Sequence, residues 1–134
     1  KARFKAFIDA TLTYQHNSGT WYQVTDLGNR EGNYLEASGT AMLTYAMAKG
    51  ASLKFLPEEY KAHAEKGFAG LLDQMISVNP DTNVISLEQV CAVAGLGGNP
   101  YRDGSFDYYM SEPIRANDAK GVGPFILAAH YLNK

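Results

Sequence analysis

The chain has 134 residues, of which 46% are hydrophobic and 12% aromatic, so it is long enough for one hydrophobic core and too short for two. Its formal charge of -2 and its 12 scattered Lys and Arg residues form no basic patch that would attract a nucleic acid or an anionic membrane. We therefore expect a soluble globular protein with no nucleic-acid partner and no membrane partner, since no apolar run approaches the ~18 residues of a membrane span.

Helical periodicity predicts two helices in the first third of the chain. In the first, Phe4, Phe7, Ile8 and Leu12 share one face, and the helix is expected to end near residues 17–19. Residues 21–24 are predicted to be short and extended, and residues 26–33 to form a polar loop. The second helix is predicted from about Tyr34 to Lys49. Its small residues 37–41 would allow another helix or a ligand to approach the backbone closely.

A third helix is predicted to begin at Pro57, because proline is favoured at the first helical position. Its apolar stripe continues through Ile76, until residues 79–81 break it.

The last part of the chain is more irregular. Residues 84–93 are apolar and β-branched, which predicts a strand pair or an extended loop, and residues 95–100 a flexible connection. Residues 105–112 are predicted as a short helix capped by Ser105, or as a strand. The last helix is expected to begin near Gly121, because Pro124 would be tolerated only in a first turn.

No motif indicates a metal or a cofactor. The histidines at positions 16, 63 and 130 lack the spacing of metal ligands, and Cys91 has no cysteine partner. A nucleophile elbow and a phosphate-binding loop are also missing from the sequence. We therefore predict no metal and no cofactor, and the single cysteine leaves the compartment undetermined.

Candidate ligand-binding residues lie at or near the starts of the predicted helices. Trp21 would offer a flat face to a sugar ring or anchor the core, and Gln23 an amide. Glu36, beside Ser38, would bind sugar hydroxyls, act as an acid or base, or interact with the helix dipole.

The final helix and the segment before it supply further candidates. Asp118 would cap that helix or face a ligand. Lys120 and Gly121 would present a cation and free N–H groups to an anionic ligand. Tyr109, with its neighbours Tyr108 and Ser111, would border the pocket or pack beneath a loop.

Three segments carry a family resemblance: Gly-Thr-Trp-Tyr-Gln-Val at 19–24, Tyr-Leu-Glu-Ala-Ser-Gly at 34–39, and Asn-Asp-Ala-Lys-Gly-Val-Gly-Pro-Phe at 117–125. They resemble the unsaturated rhamnogalacturonyl hydrolases of glycoside hydrolase family 105 and, more distantly, the unsaturated glucuronyl hydrolases of family 88. The Glu-Ala-Ser-Gly-Thr-Ala run is similar to the family's Glu-Thr-Ser-Gly-Ser-Ala. Lys120 stands where many relatives have His.

The resemblance implies an all-α fold, the C-terminal portion of a six-hairpin α/α barrel, with residues 1–134 forming a single partial domain of about two hairpins. Roughly even helix spacing also suits stacked helical hairpins. The apolar faces that an open arc of hairpins would expose lead us to expect self-association.

The resemblance further implies hydrolysis of a 4,5-unsaturated galacturonyl or glucuronyl residue at the end of a small oligosaccharide from pectin, without a cofactor. In this family a carboxylic acid protonates the enol-ether double bond and then activates water. We expect the catalytic Asp and the Arg-Gly-Asn-Gly-Trp segment of the family to lie before Lys1. The chain alone would then be inactive while keeping part of the sugar pocket.

Two other hypotheses remain. An inverting glycosidase on the same barrel would use Glu36 and Asp118 as acid and base, about 6.5 to 9.5 Å apart. A helical-repeat interaction domain without chemistry would leave Trp21, Gln23, Glu36 and Lys120 apart from one another.

Overall fold

The computed structural model describes residues 1–134 and contains five α-helices and six short β-strands. The helices are α1 Ala2–Leu12, α2 Ala37–Ser52, α3 Tyr60–Met75, α4 Phe106–Ser111 and α5 Ala119–Leu132. The strands are β1 Trp21–Tyr22, β2 Leu35–Glu36, β3 Ile76–Val78, β4 Ile85–Leu87, β5 Val90–Cys91 and β6 Ile114–Arg115. None of these helices combines the length and apolar character that crossing a membrane requires.

Helices α2 and α5 lie side by side and run in the same direction. Gly121 lies against Ser38 near the start of both helices, and Tyr131 lies beside Tyr45 further along, with ring centroids 5.8 Å apart. Helix α3 runs the opposite way, and its Phe68 stacks on a phenylalanine of α5. Both α2 and α5 therefore begin at the same end of the helix layer.

The buried apolar side chains form two clusters. The first joins α1 and β1 to α2 and α3, and it contains Ile8, Trp21, Met47, Ala48, Leu56, Tyr60 and Ala64. The second joins the start of α2 and the end of α3 to β4 and β5, and it contains Ala37, Ala41, Leu71, Met75, Leu87 and Val90. The second cluster therefore attaches β4 and β5 to the helix layer.

The strands form three separate antiparallel pairs. β1 pairs with β2, so that Trp21 lies opposite Glu36. β3 pairs with β4 over three residue pairs, and β5 pairs with β6, where Cys91 lies opposite Ile114. The predicted strand pair around residues 84–93 thus exists as two strands, each of which pairs outside that segment.

Two predicted helix starts are wrong by about three residues. The second helix begins at Ala37 and not at Tyr34, because Glu36 pairs with β1 in an extended conformation and caps the helix. The third begins at Tyr60 and not at Pro57. The residues before Tyr60 form tighter turns, in which its N–H donates to the Pro57 carbonyl over 3.2 Å.

Three other boundaries also differ. Helix α1 ends at Leu12 and not near residues 17–19, because the N–H groups of Tyr14 and Gln15 donate to the Thr11 and Leu12 carbonyls in tighter turns. Helix α3 ends at Met75, because Ile76 takes an extended conformation and pairs with Leu87. Helix α5 begins at Ala119 and not near Gly121, which makes Pro124 the sixth helical residue and removes one intrahelical hydrogen bond. The Asp118 cap fixes this earlier start.

The predicted helical character is confirmed in part, since the chain is mostly helical but also contains six short strands. Helix α4 is the short helix capped by Ser105, one of the two alternatives predicted for that segment. The barrel to which these hairpins would belong stays a prediction. Several large apolar side chains are exposed, among them Phe7 at 57% and Ile126 at 60%. The expected self-association likewise stays a prediction.

Candidate functional site

Polar side chains from three segments meet around β5, at the end where α2 and α5 begin. We call Gln23, Tyr34, Glu36, Ser38 and Cys91 the Cys91 cluster. Glu36 lies in β2, and Ser38 lies in the first turn of α2. Gln23 directly follows β1, and Tyr34 directly precedes β2. Three of the predicted site residues therefore lie together.

Glu36 is the N-terminal cap of α2 and is only 4% exposed. Its Oε1 accepts from the Ser38 N–H at 3.0 Å, the Ser38 hydroxyl at 2.7 Å and the Cys91 N–H at 2.9 Å. Its Oε2 accepts from the Gly39 N–H at 2.6 Å. The carboxylate thus joins α2 to β5, and protein donors occupy both of its oxygens.

The thiol of Cys91 lies among polar neighbours although the residue is buried. It accepts a hydrogen bond from Gln23 Nε2 at 3.3 Å and donates to the Val93 carbonyl at 3.2 Å. The buried hydroxyl of Tyr34 has no hydrogen-bond partner. Burial raises the pKa of Tyr34, and so do the neighbouring Cys91 and the charge of Glu36. Tyr34 therefore stays protonated at neutral pH.

Gly121 brings the start of α5 against this cluster. A Cβ at this position would lie 2.9 Å from Val90 Cγ2, 3.2 Å from Leu87 Cδ2 and 3.6 Å from Ser38 Cβ. Any side chain here would push α5 away from α2 and β5. The glycine is thus required for close packing, and it places the first turns of α2 and α5 next to each other.

Asp118 and Lys120 form an ion pair at the start of α5. The Lys120 ammonium lies 2.9 Å from Asp118 Oδ2, while Asp118 Oδ1 accepts from the Lys120 N–H at 3.1 Å. The side chain of Lys120 lowers the pKa of Asp118 most strongly, followed by its backbone N–H. The Lys120 side chain is 37% exposed, so the ion pair lies partly at the surface.

Asn117 fixes the segment that leads into this ion pair. Its φ of 57° lies in the left-handed region, which asparagine tolerates better than most residues. Its backbone N–H donates to the Leu87 carbonyl, and its Oδ1 accepts from the Leu87 N–H at 2.9 Å. Asn117 therefore attaches the start of α5 to β4.

Two of the predicted site residues have side chains outside the Cys91 cluster. Trp21 is 2% exposed in the first apolar cluster, and its indole N–H donates to the Thr11 carbonyl at 2.8 Å. The structure thus places it as a core anchor, one of the two roles considered for it. Tyr109 is half-buried in α4 and packs on Tyr108, with ring centroids 5.2 Å apart.

Cys91 and Tyr34 are the members of the cluster that the sequence did not single out as ligand contacts. A lone cysteine has no spacing that indicates a role, and Tyr34 was assigned to a helix that in fact begins later. No group of three or more His, Cys, Asp and Glu side chains is close enough to hold a metal ion.

The glycosyl hydrolase family 88 model matches residues 1–134. Two curated proteins are each 39% identical to this chain over 134 residues: Protein Atu3128 of Agrobacterium fabrum and the 24.9 kDa protein in the picA locus of Rhizobium radiobacter. Each alignment covers 96% of this chain and 57% of the relative. The chain therefore spans a little over half the length of these relatives.

Solved structures described as members or possible members of family 105 have the same fold. A Clostridium acetobutylicum glycoside hydrolase from family 105 superposes with a TM-score of 0.91 at 47% identity, covering 98% of this chain and 38% of that one. A protein of Salmonella enterica, described as a possible member of that family, gives 0.74 at 25% identity, covering 96% and 30%. The corresponding Klebsiella pneumoniae protein gives 0.70 at 25% identity, covering 94% and 29%.

Proposed function

Because the chain belongs to glycosyl hydrolase family 88, we propose that it forms part of the sugar-binding region of a glycoside hydrolase. The substrate would be a small pectin-derived oligosaccharide that ends in a 4,5-unsaturated galacturonyl or glucuronyl residue. The family match over residues 1–134 carries this proposal.

The polar groups at the starts of α2 and α5 support an acidic sugar as the ligand. An unsaturated uronyl residue carries a carboxylate, which binds best to a cation with hydrogen-bond donors. Lys120 offers an ammonium on a partly exposed side chain. Gln23 offers an amide, the kind of group that fixes sugar hydroxyls. Asp118, with its lowered pKa, is an anion at neutral pH and orients the ammonium.

The two carboxylates of this region, Glu36 and Asp118, would hold neighbouring protein groups in position and would not donate a proton to the substrate. Glu36 is 4% exposed, with both oxygens facing protein donors, so it has no open side toward a substrate. Asp118 has a lowered pKa, and a general acid needs a raised one. We therefore propose that this chain binds the substrate and that none of its residues protonates the double bond.

The inverting-glycosidase hypothesis requires Glu36 and Asp118 to face each other across an open cleft. Burial of Glu36 beneath the first turn of α2 argues against it. The interaction-domain hypothesis predicts that the site residues stay apart. Gln23 and Glu36 meet around Cys91, whereas the Trp21 side chain lies in the core and Lys120 pairs with Asp118, so two of the four residues converge.

Calorimetry with unsaturated galacturonyl-rhamnose tests binding, and the ultraviolet absorbance of the double bond tests turnover. We expect binding without loss of absorbance. Lys120→Gln should weaken binding about tenfold, the value of a charge-assisted hydrogen bond. Lys61→Gln is the matched control, because Lys61 lies in the first turn of α3, at the other end of the helix layer.

Absence of binding would overturn the proposal. Loss of the absorbance would show that a residue of this chain protonates the double bond, which would contradict the second part of the proposal. Glu36→Gln would then be the first variant to measure.

A further inference from the structure

A cavity lies beside α4, outside the Cys91 cluster. Its volume is about 460 Å³, and the side chains around it include Tyr101, Arg102, Tyr108, Ser111 and Glu112. The loop that forms one wall was expected to be flexible. In the structure, Gly97 and Arg102 close it with two backbone hydrogen bonds of 2.8 and 3.1 Å.

Arg102 has no acidic partner, although its guanidinium is held in place. Nε donates to the Gly97 carbonyl at 3.0 Å, and the terminal nitrogens lie over Gly95 and Gly98. A Cβ at Gly95 would come within 2.7 Å of Nη1, and one at Gly98 within 3.1 Å of Nη2. Neither terminal nitrogen donates to any protein group. The two nitrogens are therefore available as a planar pair of donors.

The rest of the cavity suits a hydroxylated ring. Tyr101 is 78% exposed and offers an aromatic face on which a pyranose can stack. Tyr108 fastens the loop to α4, since its hydroxyl accepts from the Gly95 N–H at 3.1 Å. The neighbouring Glu112 carboxylate is the main cause of the raised pKa of Tyr108. Glu112 and Ser111 supply acceptors for sugar hydroxyls.

We propose that this cavity binds a carboxylate-bearing pyranose, with the Arg102 guanidinium holding the carboxylate through two parallel hydrogen bonds and Tyr101 stacking on the ring. An arginine fork matches a carboxylate better than any other side chain does. Because Tyr101, Ser111 and Glu112 also line the cavity, a sugar that offers both a carboxylate and hydroxyls fits better than a simple anion.

This inference rests on the proposed function, because it adds a second contact region for an acidic oligosaccharide. The two regions are connected through the backbone. Helix α4 leads directly into β6, and β6 pairs with β5, where Cys91 receives the Glu36 hydrogen bond. The Arg102 cavity is therefore attached to the strand pair that carries Cys91.

The test is a titration of the ¹⁵N-labelled chain with galacturonic acid, with galactose as the neutral control. We expect amide shifts in residues 95–112 with the acid and none with galactose. Arg102→Gln should weaken binding at least tenfold, and Tyr101→Ala severalfold. Arg3→Gln, an exposed arginine on α1, should change nothing. Tyr101→Ala alters only an exposed loop tip, so it stays informative if Arg102→Gln misfolds.

Two outcomes would overturn the inference. Shifts confined to the start of α5 and the Cys91 cluster would place the acid there and would leave the proposed function standing. Equal binding of galactose, or unchanged affinity in both variants, would show that no carboxylate is recognised in this cavity. Calorimetry with unsaturated galacturonyl-rhamnose tests the proposed function independently of this titration.

Discussion

Glu36 and Cys91, 55 positions apart in the sequence, are joined by a buried hydrogen bond of 2.9 Å from the Cys91 N–H to the Glu36 carboxylate. The same carboxylate caps α2. One side chain thereby determines both where the helix begins and where β5 lies against it.

Replacing Glu36 with Ala should lower the free energy of unfolding by about 2 to 4 kcal/mol. The variant loses the helix cap and leaves the buried Cys91 N–H without an acceptor. Urea unfolding measures the change. Glu65→Ala, at an exposed position in α3, is the control and should stay within about 0.5 kcal/mol of the parent. Equal stability of the two variants would contradict the structural role of Glu36.

Two buried threonines of α2 should respond oppositely to substitution by Val. The Thr40 hydroxyl donates to the Glu36 carbonyl at 2.6 Å and accepts from the Trp21 N–H at 3.0 Å. Thr40→Val should therefore destabilise by about 1 to 3 kcal/mol. The Thr44 hydroxyl is buried without a partner, so Thr44→Val should be neutral or stabilising by up to about 1 kcal/mol. Thermal or urea unfolding of both variants would show the difference, and similar losses would refute it.

Two glycines of α5 provide a similar comparison. Gly121→Ala should destabilise by about 1 to 3 kcal/mol, because the methyl group would collide with Val90 and Leu87. A methyl group at Gly123 would have no neighbouring atom within 4 Å, so Gly123→Ala should stabilise the helix by up to about 1 kcal/mol. Circular dichroism melts measure both effects. A stabilising Gly121→Ala would mean that α5 does not pack as closely as described.

The raised pKa of Tyr34 predicts a loss of stability at high pH. The folded state keeps this phenol protonated, so its contribution is complete below the ordinary tyrosine pKa of about 10 and is lost as the pH rises above it. The urea midpoint should therefore fall less between about pH 8 and 11 in Tyr34→Phe than in the parent. Tyr14→Phe, at a residue that is 48% exposed, is the control. Parallel pH profiles for all three proteins would rule out this linkage.

The sequence was a good guide wherever the determining interaction is local. Apolar periodicity predicted the four longer helices. A cap at Ser105 and at Asp118 was in each case one of two predicted alternatives, because a cap acts within three residues of itself. The family resemblance, carried by three contiguous segments, also needed no tertiary information.

The tertiary structure decided what depends on partners distant in the chain. Helix α2 begins at Ala37 and not at Tyr34, because β2 pairs with β1. Trp21 lies in the core, because its indole N–H finds a carbonyl on α1. Cys91 joins the cluster only because Glu36 binds its backbone. Periodicity and local propensity describe one segment at a time, whereas burial and hydrogen bonding between segments are satisfied only when the whole chain has folded.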